Sequence, residues 1–252
     1  MKTVAAVMVR MGSSRLPGKT MADVGGVPLL GMLLERLRQC RCLDGIVVAT
    51  SLMPENDVIE DYCRETGTAV FRGSENDVLG RLLGAWQSQG AVTGVSVFGD
   101  GPLLDPAIVD HLVSLYRQAG GAYDFVGNDL KTTYPPGMEA EVVSVSAQAD
   151  AATRTDDPAI REHGTFFIRS NPHLYRLLNV EAPPVLHRPE LEIEVDTQED
   201  IEVIRTIVGH FGSRRDFSLG EIIAFLDCHA DVALSNAHVP RRWKTLREAP
   251  LL

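Results

Sequence analysis

The stretch TVAAVMVRMGSSRLPGKT, residues 3–20, decides the fold. It opens with a short, Val-rich apolar run, and a continuous run of this kind suits a strand covered on both faces. The run breaks directly into a loop carrying Arg10, Gly12, Ser13, Ser14, Arg15, Pro17, Gly18 and Lys19. In an open α/β sheet, ligands sit outside the carboxyl ends of the strands, so this loop is placed for binding before its residues are considered. The loop ends like a Walker A motif, G-x-x-x-x-G-K-S/T, but that motif needs its first glycine where Ser13 stands, and Gly12 is one residue early. Helical periodicity also begins only after MADVGGVP, residues 21–28. The loop is not a P-loop.

Its chemistry suits a polyphosphate. Gly12 allows close backbone approach and a positive φ. Ser13 and Ser14 offer hydroxyls and backbone amides to phosphate oxygens. Arg10, Arg15 and Lys19 put three cations in one loop, and arginine forks match phosphate geometry. Pro17 stiffens the segment and lowers the ordering cost of binding. The alternative is a solvated surface loop with incidental arginines.

Working outward, Val-rich runs recur at 45–51 (GIVVATS), 68–73 (TAVFRG) and 94–100 (GVSVFGD). Amphipathic runs lie between them. PLLGMLLERLRQC (28–40) opens with Pro28, favoured at a first helical position, and PENDVIEDYCRET (54–66) stops at Gly67. ENDVLGRLLGAWQSQ (75–89) and PAIVDHLVSLYRQAG (106–120) continue the pattern. The first half therefore reads β-α-β-α-β-α-β-α, a parallel sheet with helices on both faces. In the second half YDFVGND (123–129), GMEAEVVSVS (137–146), GTFFIRS (164–170) and LEIEVDT (191–197) read as strands with shorter connections, which predicts a mixed sheet with a projecting hairpin arm. TQEDIEVIRTIVGHF (197–211) reads as a helix capped by Thr197, with Glu199 and Asp200 in its first turn. GSRRD (212–216) reads as a linker, dividing a main domain, 1–212, from a helical C-terminal extension, 213–252, in which Ser218 and Glu221 have capping-box spacing. The RRWK cluster at 241–244 reads as a solvated end with Trp243 packed on the core.

Length fits one large α/β domain with a small extension: the chain has 252 residues, 44% hydrophobic and 23% charged. A net charge of −10 excludes a general nucleic-acid or anionic-membrane binder while allowing a local cationic pocket. The first apolar run passes into the loop without a small-residue cleavage site, so it reads as a strand and the expected location is cytoplasmic. Cys40, Cys42, Cys63 and Cys228 lack metal spacing and are expected as reduced thiols.

Two aspartates end apolar runs. Asp100 is followed by Gly101-Pro102, and Asp196 precedes a helix. Singly they read as a turn former and a helix N-cap; together, opposite a cationic loop, they can hold hard cations that bridge phosphate oxygens.

Arg10, Ser13, Ser14, Arg15, Leu16, Pro17, Gly18 and Lys19 resemble the nucleotide-binding signature of the cytidylyltransferases that activate acidic sugars, the Kdo and acylneuraminate enzymes, and most closely the related spore-coat polysaccharide branch. The likeness continues in order through GGVPLL (25–30), FRGSENDVLGR (71–81), FGDGPLLDP (98–106), TTYPPGMEAEV (132–142), REHGTFFIR (161–169) and EVDTQEDIEVI (194–204), about the first 210 residues. The resemblance implies a Rossmann-like nucleotide-diphospho-sugar transferase fold, a homodimer, CTP as substrate and Mg²⁺ as cofactor. It implies that Arg15 and Lys19 hold the triphosphate and that Asp100 and Asp196 bind the metal. Val9, Arg10, Gly12, Ser13, Ser14, Gly73, Ser74 and Gly99 would surround the nucleotide.

In the segments where relatives contact their sugar, the acceptor candidates are Tyr134, Glu139, Glu141, Arg161 and His163, with Arg161 paired to an acceptor carboxylate and His163 to a hydroxyl. YPPG stands where the spore-coat branch has Y-P-D-G, and EHGT where it has E-H-V-T, which leaves the acceptor open. The implied reaction is transfer of CMP from CTP to an acidic sugar, with release of pyrophosphate, for surface polysaccharide synthesis. Three alternatives stand beside it: a phosphonate or phosphorylated acceptor, a nucleotide-sugar glycosyltransferase, and a non-catalytic nucleotide-binding subunit. The glycosyltransferase reading lacks its common D-x-D motif, which occurs nowhere in the chain.

Overall fold

The structure, a computed structural model, describes residues 1–241. One sheet of seven strands organises it, in the order β3-β2-β1-β4-β6-β5-β7. The strands are β1 (Thr3–Met8), β2 (Gly45–Ser51), β3 (Ala69–Gly73), β4 (Thr93–Phe98), β5 (Phe125–Gly127), β6 (Ala140–Ser144) and β7 (Leu177–Asn179). β1 to β4 are mutually parallel; β6 runs antiparallel to both β4 and β5, and β7 is parallel to β5. The sheet is mixed, as the sequence predicts. The hairpin arm is not found among the described residues: β5 and β6 pair inside the sheet.

The helices are α1 (Leu29–Leu37), α2 (Asp57–Glu65), α3 (Val78–Ser88), α4 (Pro106–Gln118), α5 (Val145–Arg154), α6 (Pro158–Arg161), α7 (Phe166–Ser170), α8 (Gln198–Phe211), α9 (Leu219–Cys228) and α10 (Ala230–Leu234). Those on one face, α3, α5 and α7, bury Leu82, Trp86, Ala151 and Ile168 against Val4, Ala6 and Phe125. The other face is covered by α1, α4, α8 and α9 in a larger cluster that includes Leu33, Leu112, Ile204 and Phe225. The sheet is thus covered on both faces, which explains its unbroken apolar runs.

Four local expectations are corrected. Pro28 is the N-cap of α1 rather than its first residue. GTFFIRS forms the short helix α7, with Ile168 buried and Phe166 exposed. LEIEVDT joins no strand ladder and bends at Glu194, Asp196 and Thr197; Ile193 N donates to Pro136 O at 3.1 Å and Val195 N to Asp100 O at 2.8 Å. Gly12 has an ordinary φ, and the left-handed residue of the first loop is Gly18, at φ +78°.

The segment beyond 212 shares the main core. Leu219, Ile222, Ile223, Phe225 and Leu226 of α9 belong to the cluster formed with α1, α4 and α8. Asp105 caps α4 by accepting from Ala107 N at 2.8 Å, and its second oxygen accepts from Leu219 N at 2.6 Å. The Ser218–Glu221 capping box forms as its spacing predicts. Arg241, read as part of a solvated end, is instead buried, whereas Trp243 lies outside the described residues.

Candidate nucleotide-binding site

β1 and β4 are neighbours in register, Met8 opposite Phe98, so the loops that follow them leave the sheet side by side. Gly99 makes this possible: a Cβ there would lie 2.2 Å from Val9 Cγ1 and 2.6 Å from the Met8 carbonyl oxygen. The first loop is held by its own backbone and by one buried side chain. Ser13 N and Gly18 N both donate to Met11 O at 2.9 Å, and Met11 N donates to Asn56 Oδ1 at 2.7 Å. Ser13 Oγ accepts from Leu16 N at 3.4 Å, while Gly12 and Ser14 are exposed.

Four of the expected residues converge. Arg15 Nη2 lies 2.6 Å from Asp196 Oδ2, and Lys19 Nζ lies 3.3 Å from Asp196 Oδ1 and 3.8 Å from Asp100 Oδ2. Lys19 Nζ also donates to Val195 O at 2.5 Å. The two loops carrying the carboxylates are tied by the bond from Val195 N to Asp100 O. Gly137 lets the 191–196 segment pass this close: its φ is +101°, and a Cβ would stand 2.7 Å from Ile193 O.

Arg10 points to the other side of the loop, where its Nη1 pairs with Glu75 Oε1 at 2.7 Å. Glu75 follows Gly73 and Ser74 at the end of β3, so this pair links the first loop to the second nucleotide segment. Burial pushes the Glu75 carboxyl up, but hydrogen bonds from Ser51 and Arg10 outweigh it and hold the group below its ordinary range. Arg81 braces the segment by donating to the carbonyls of Ser74 and Glu75. Sequence reasoning missed Glu75 and Arg81; both sit in FRGSENDVLGR, and only the fold shows that they face Arg10 and Ser74.

Of the acceptor candidates, only Glu139 lies beside Asp100, in a tightly packed group with Phe98, Gly101, Leu104 and Gly137; its Oε2 accepts from Gly137 N at 2.7 Å. Glu141 is fully buried and committed to Thr165 Oγ1 at 2.8 Å and Arg169 Nη1 at 3.1 Å. Arg161 is likewise committed: to the carbonyls of Ala152 and Thr155, and to Asp77 Oδ2 at 2.7 Å. In this structure Glu141 Oε1 thus ties β6 to α7, and Arg161 ties α6 to the end of α5 and to Asp77 at the start of α3. Tyr134 is buried in the larger core, and His163 is exposed, edge-on to Phe166 at 5.9 Å.

The site is strongly acidic behind its cations. Glu194 is buried, and that burial, together with Asp100, Glu139, Asp196 and Glu192, pushes its carboxyl up to about 9. No group of three or more metal-ligating side chains occurs among the described residues. Two converging carboxylates nevertheless fit Mg²⁺, which keeps several waters and takes one or two carboxylates plus substrate phosphates. Lys19, a cation within 4 Å of both carboxylates, marks where positive charge is favoured.

A parallel-centred sheet with a cationic loop after its first strand, facing Asp100 beyond β4 and Asp196 before α8, is the arrangement of a Rossmann-like nucleotide-binding protein. The cytidylyltransferase family profile matches residues 4–225, and the chain belongs to that family. It is 33% identical over 232 residues to the spore coat polysaccharide biosynthesis protein SpsF of Bacillus subtilis, covering 90% of this chain and 95% of that one. A 3-deoxy-manno-octulosonate cytidylyltransferase of Geobacter sulfurreducens is 34% identical over 116 residues, 45% of each chain. Among solved structures, a cytidylyltransferase of Leptospira borgpetersenii superposes with a TM-score of 0.88 at 28% identity, covering 92% of this chain and 97% of that one. No helix among the described residues is long and apolar enough to cross a membrane.

Proposed function

We propose that this cytidylyltransferase transfers CMP from CTP to an acidic sugar, releasing pyrophosphate, in the synthesis of a surface polysaccharide. The observation that carries the reading is the convergence of Arg15 and Lys19 on Asp196, with Asp100 alongside. In this reading, phosphate oxygens and a divalent cation divide that cluster between them: Arg15 and Lys19 serve the triphosphate, and Asp100 and Asp196 hold Mg²⁺. Magnesium supplies charge neutralisation at the phosphates and lowers the pKa of the acceptor hydroxyl. The hydroxyl oxygen bonds to the α-phosphorus, the α–β bridging bond breaks with its electron pair leaving on pyrophosphate, and the hydroxyl proton is released. The chain's work is positioning and charge compensation, so no nucleophilic side chain is needed.

The likeness to the octulosonate enzyme supports an acidic sugar as acceptor, and that to the spore coat protein supports a polysaccharide pathway. Glu139 is the acceptor candidate we favour, since it lies beside Asp100. With the family resemblance we also place the enzyme in the cytoplasm as a homodimer, which sedimentation of the purified chain checks.

The test is pyrophosphate release with Mg²⁺ and each of the four nucleoside triphosphates, against a panel of acidic sugars and phosphonates. Turnover is expected with CTP and one acidic sugar, and is expected to fall at least 100-fold in Asp100→Ala and Asp196→Ala, as loss of a preorganised charge at a transferring phosphoryl group costs. Turnover confined to phosphonates, or indifferent to both aspartates, contradicts the proposal.

A further inference from the structure

The end of the described chain reaches the site from outside it. Asp200, the third residue of α8, is 1% exposed, and its carboxylate accepts six hydrogen bonds. Three come from the loop that carries Asp196: Asp196 N at 2.8 Å, Thr197 N at 2.8 Å and Thr197 Oγ1 at 3.2 Å. The other three come from the extension: Asn236 Nδ2 at 2.7 Å, and Arg241 Nη1 and Nη2 at 2.9 and 2.7 Å. A capping carboxylate in a first helical turn ordinarily needs only local backbone donors. Here the arginine fork grips both of its oxygens, a geometry that fixes orientation as well as charge.

Two further contacts point the same way. Asn236 Nδ2 also donates to Glu192 O at 3.0 Å, so the extension pins both ends of the 192–200 segment. Pro240 O accepts from Arg15 Nη1 at 3.4 Å while Arg15 Nη2 holds Asp196. The segment needs this help, because between Leu191 and Asp196 it has no strand partner.

Resting on the nucleotide reading above, we infer that residues 236–241 form a latch that positions Asp196 and Arg15 for the triphosphate and its cation, with Arg241 and Asn236 as positioning residues. Groups that orient a metal ligand from behind change metal affinity without touching the ion. The extension is thereby part of the catalytic domain's working surface, and not only of its core.

The experiment titrates Mn²⁺ into the full chain with CTP and no acceptor, counting free Mn²⁺ by electron paramagnetic resonance, and in parallel measures the Mg²⁺ and CTP dependence of turnover. Arg241→Met is expected to weaken Mn²⁺ binding by about 10-fold or more and to raise the half-saturating Mg²⁺ to match. Arg241→Lys, which keeps the charge and loses the fork, recovers part of the affinity, and Asn236→Ala weakens it less than Arg241→Met. If Arg241→Met does not fold, those two variants carry the test. Arg117→Met is the control: Arg117 ties α4 to Thr3 Oγ1 and to the Cys42 carbonyl, at the ends of β1 and β2 opposite the site, so its loss lowers stability and leaves Mn²⁺ affinity unchanged. Folded Arg241 and Asn236 variants that bind Mn²⁺ as the wild type does overturn the latch alone. A wild type that binds no Mn²⁺ with CTP overturns the nucleotide reading and takes the latch with it.

Discussion

Glu141 carries an ion pair but no access to the site. It is buried beside Asp129, with Arg169 Nη1 between them at 2.7 Å from Asp129 and 3.1 Å from Glu141. Burial, then the Asp129 charge, push its carboxyl up to about 7 against the pull of Arg169. A carboxyl raised in the folded state binds its proton more tightly there than in the unfolded chain, so it favours folding below its ordinary pKa. That contribution is lost as pH rises from about 4.5 towards about 7. Denaturant titrations across this window are expected to show stability falling on the order of 1–3 kcal/mol in the wild type. Glu194, raised likewise by burial, adds to this slope, so Glu141→Gln is expected to reduce it without abolishing it, and an unchanged slope would show that Glu141 does not titrate in this window. Arg161 stands in a motif that suggests an acceptor ligand, and its guanidinium bonds to Asp77 and two carbonyls. Motif position tells where a residue lies along the chain; which way its side chain turns depends on neighbours far away in sequence.

Among the elements, the legible ones are those whose pattern is long enough to have a period. β1 to β4 and α1 to α4 were readable because each strand is an unbroken apolar run and each helix repeats its apolar positions over two turns or more. The failures are short or unpaired. A five-residue helix such as α7 is too brief to show a period, and Phe166, Phe167 and Ile168 imitate strand composition. LEIEVDT alternates perfectly, yet Leu191, Ile193 and Val195 enter the core from a segment with no ladder, and Glu192 and Glu194 are buried as well. Alternation reports an extended chain against a core; it does not report a neighbouring strand. β7, three residues long, gave no signal. At the site, the first loop and Asp100 are legible because they follow the ends of β1 and β4, whereas Asp196 is brought there by a segment that joins no strand, through the bond from Val195 N to Asp100 O. The latch is not legible, because Asp200 and Arg241 meet across 41 positions of sequence.

Across the whole molecule, the extension decides stability as well as geometry. α9 contributes Leu219, Ile222, Ile223, Phe225 and Leu226 to the main core. At about 1.5–3 kcal/mol for each large apolar side chain buried, that is on the order of 10 kcal/mol, comparable to the whole stability of a domain. A chain ending at residue 212 is therefore expected to lose cooperative thermal unfolding by circular dichroism, and a cooperative transition in that fragment would show that the core closes without α9. On this two-faced scaffold the loop after β1 is proposed to hold the triphosphate. Its most direct test is a calorimetric titration of CTP, with Mg²⁺, into the wild type and Arg15→Ala. The wild type is expected to bind, with a loss of about 10-fold or more in the variant, the scale of a charge-assisted arginine–phosphate bond. Equal affinity in the two proteins, or no CTP binding by the wild type, would contradict that proposal.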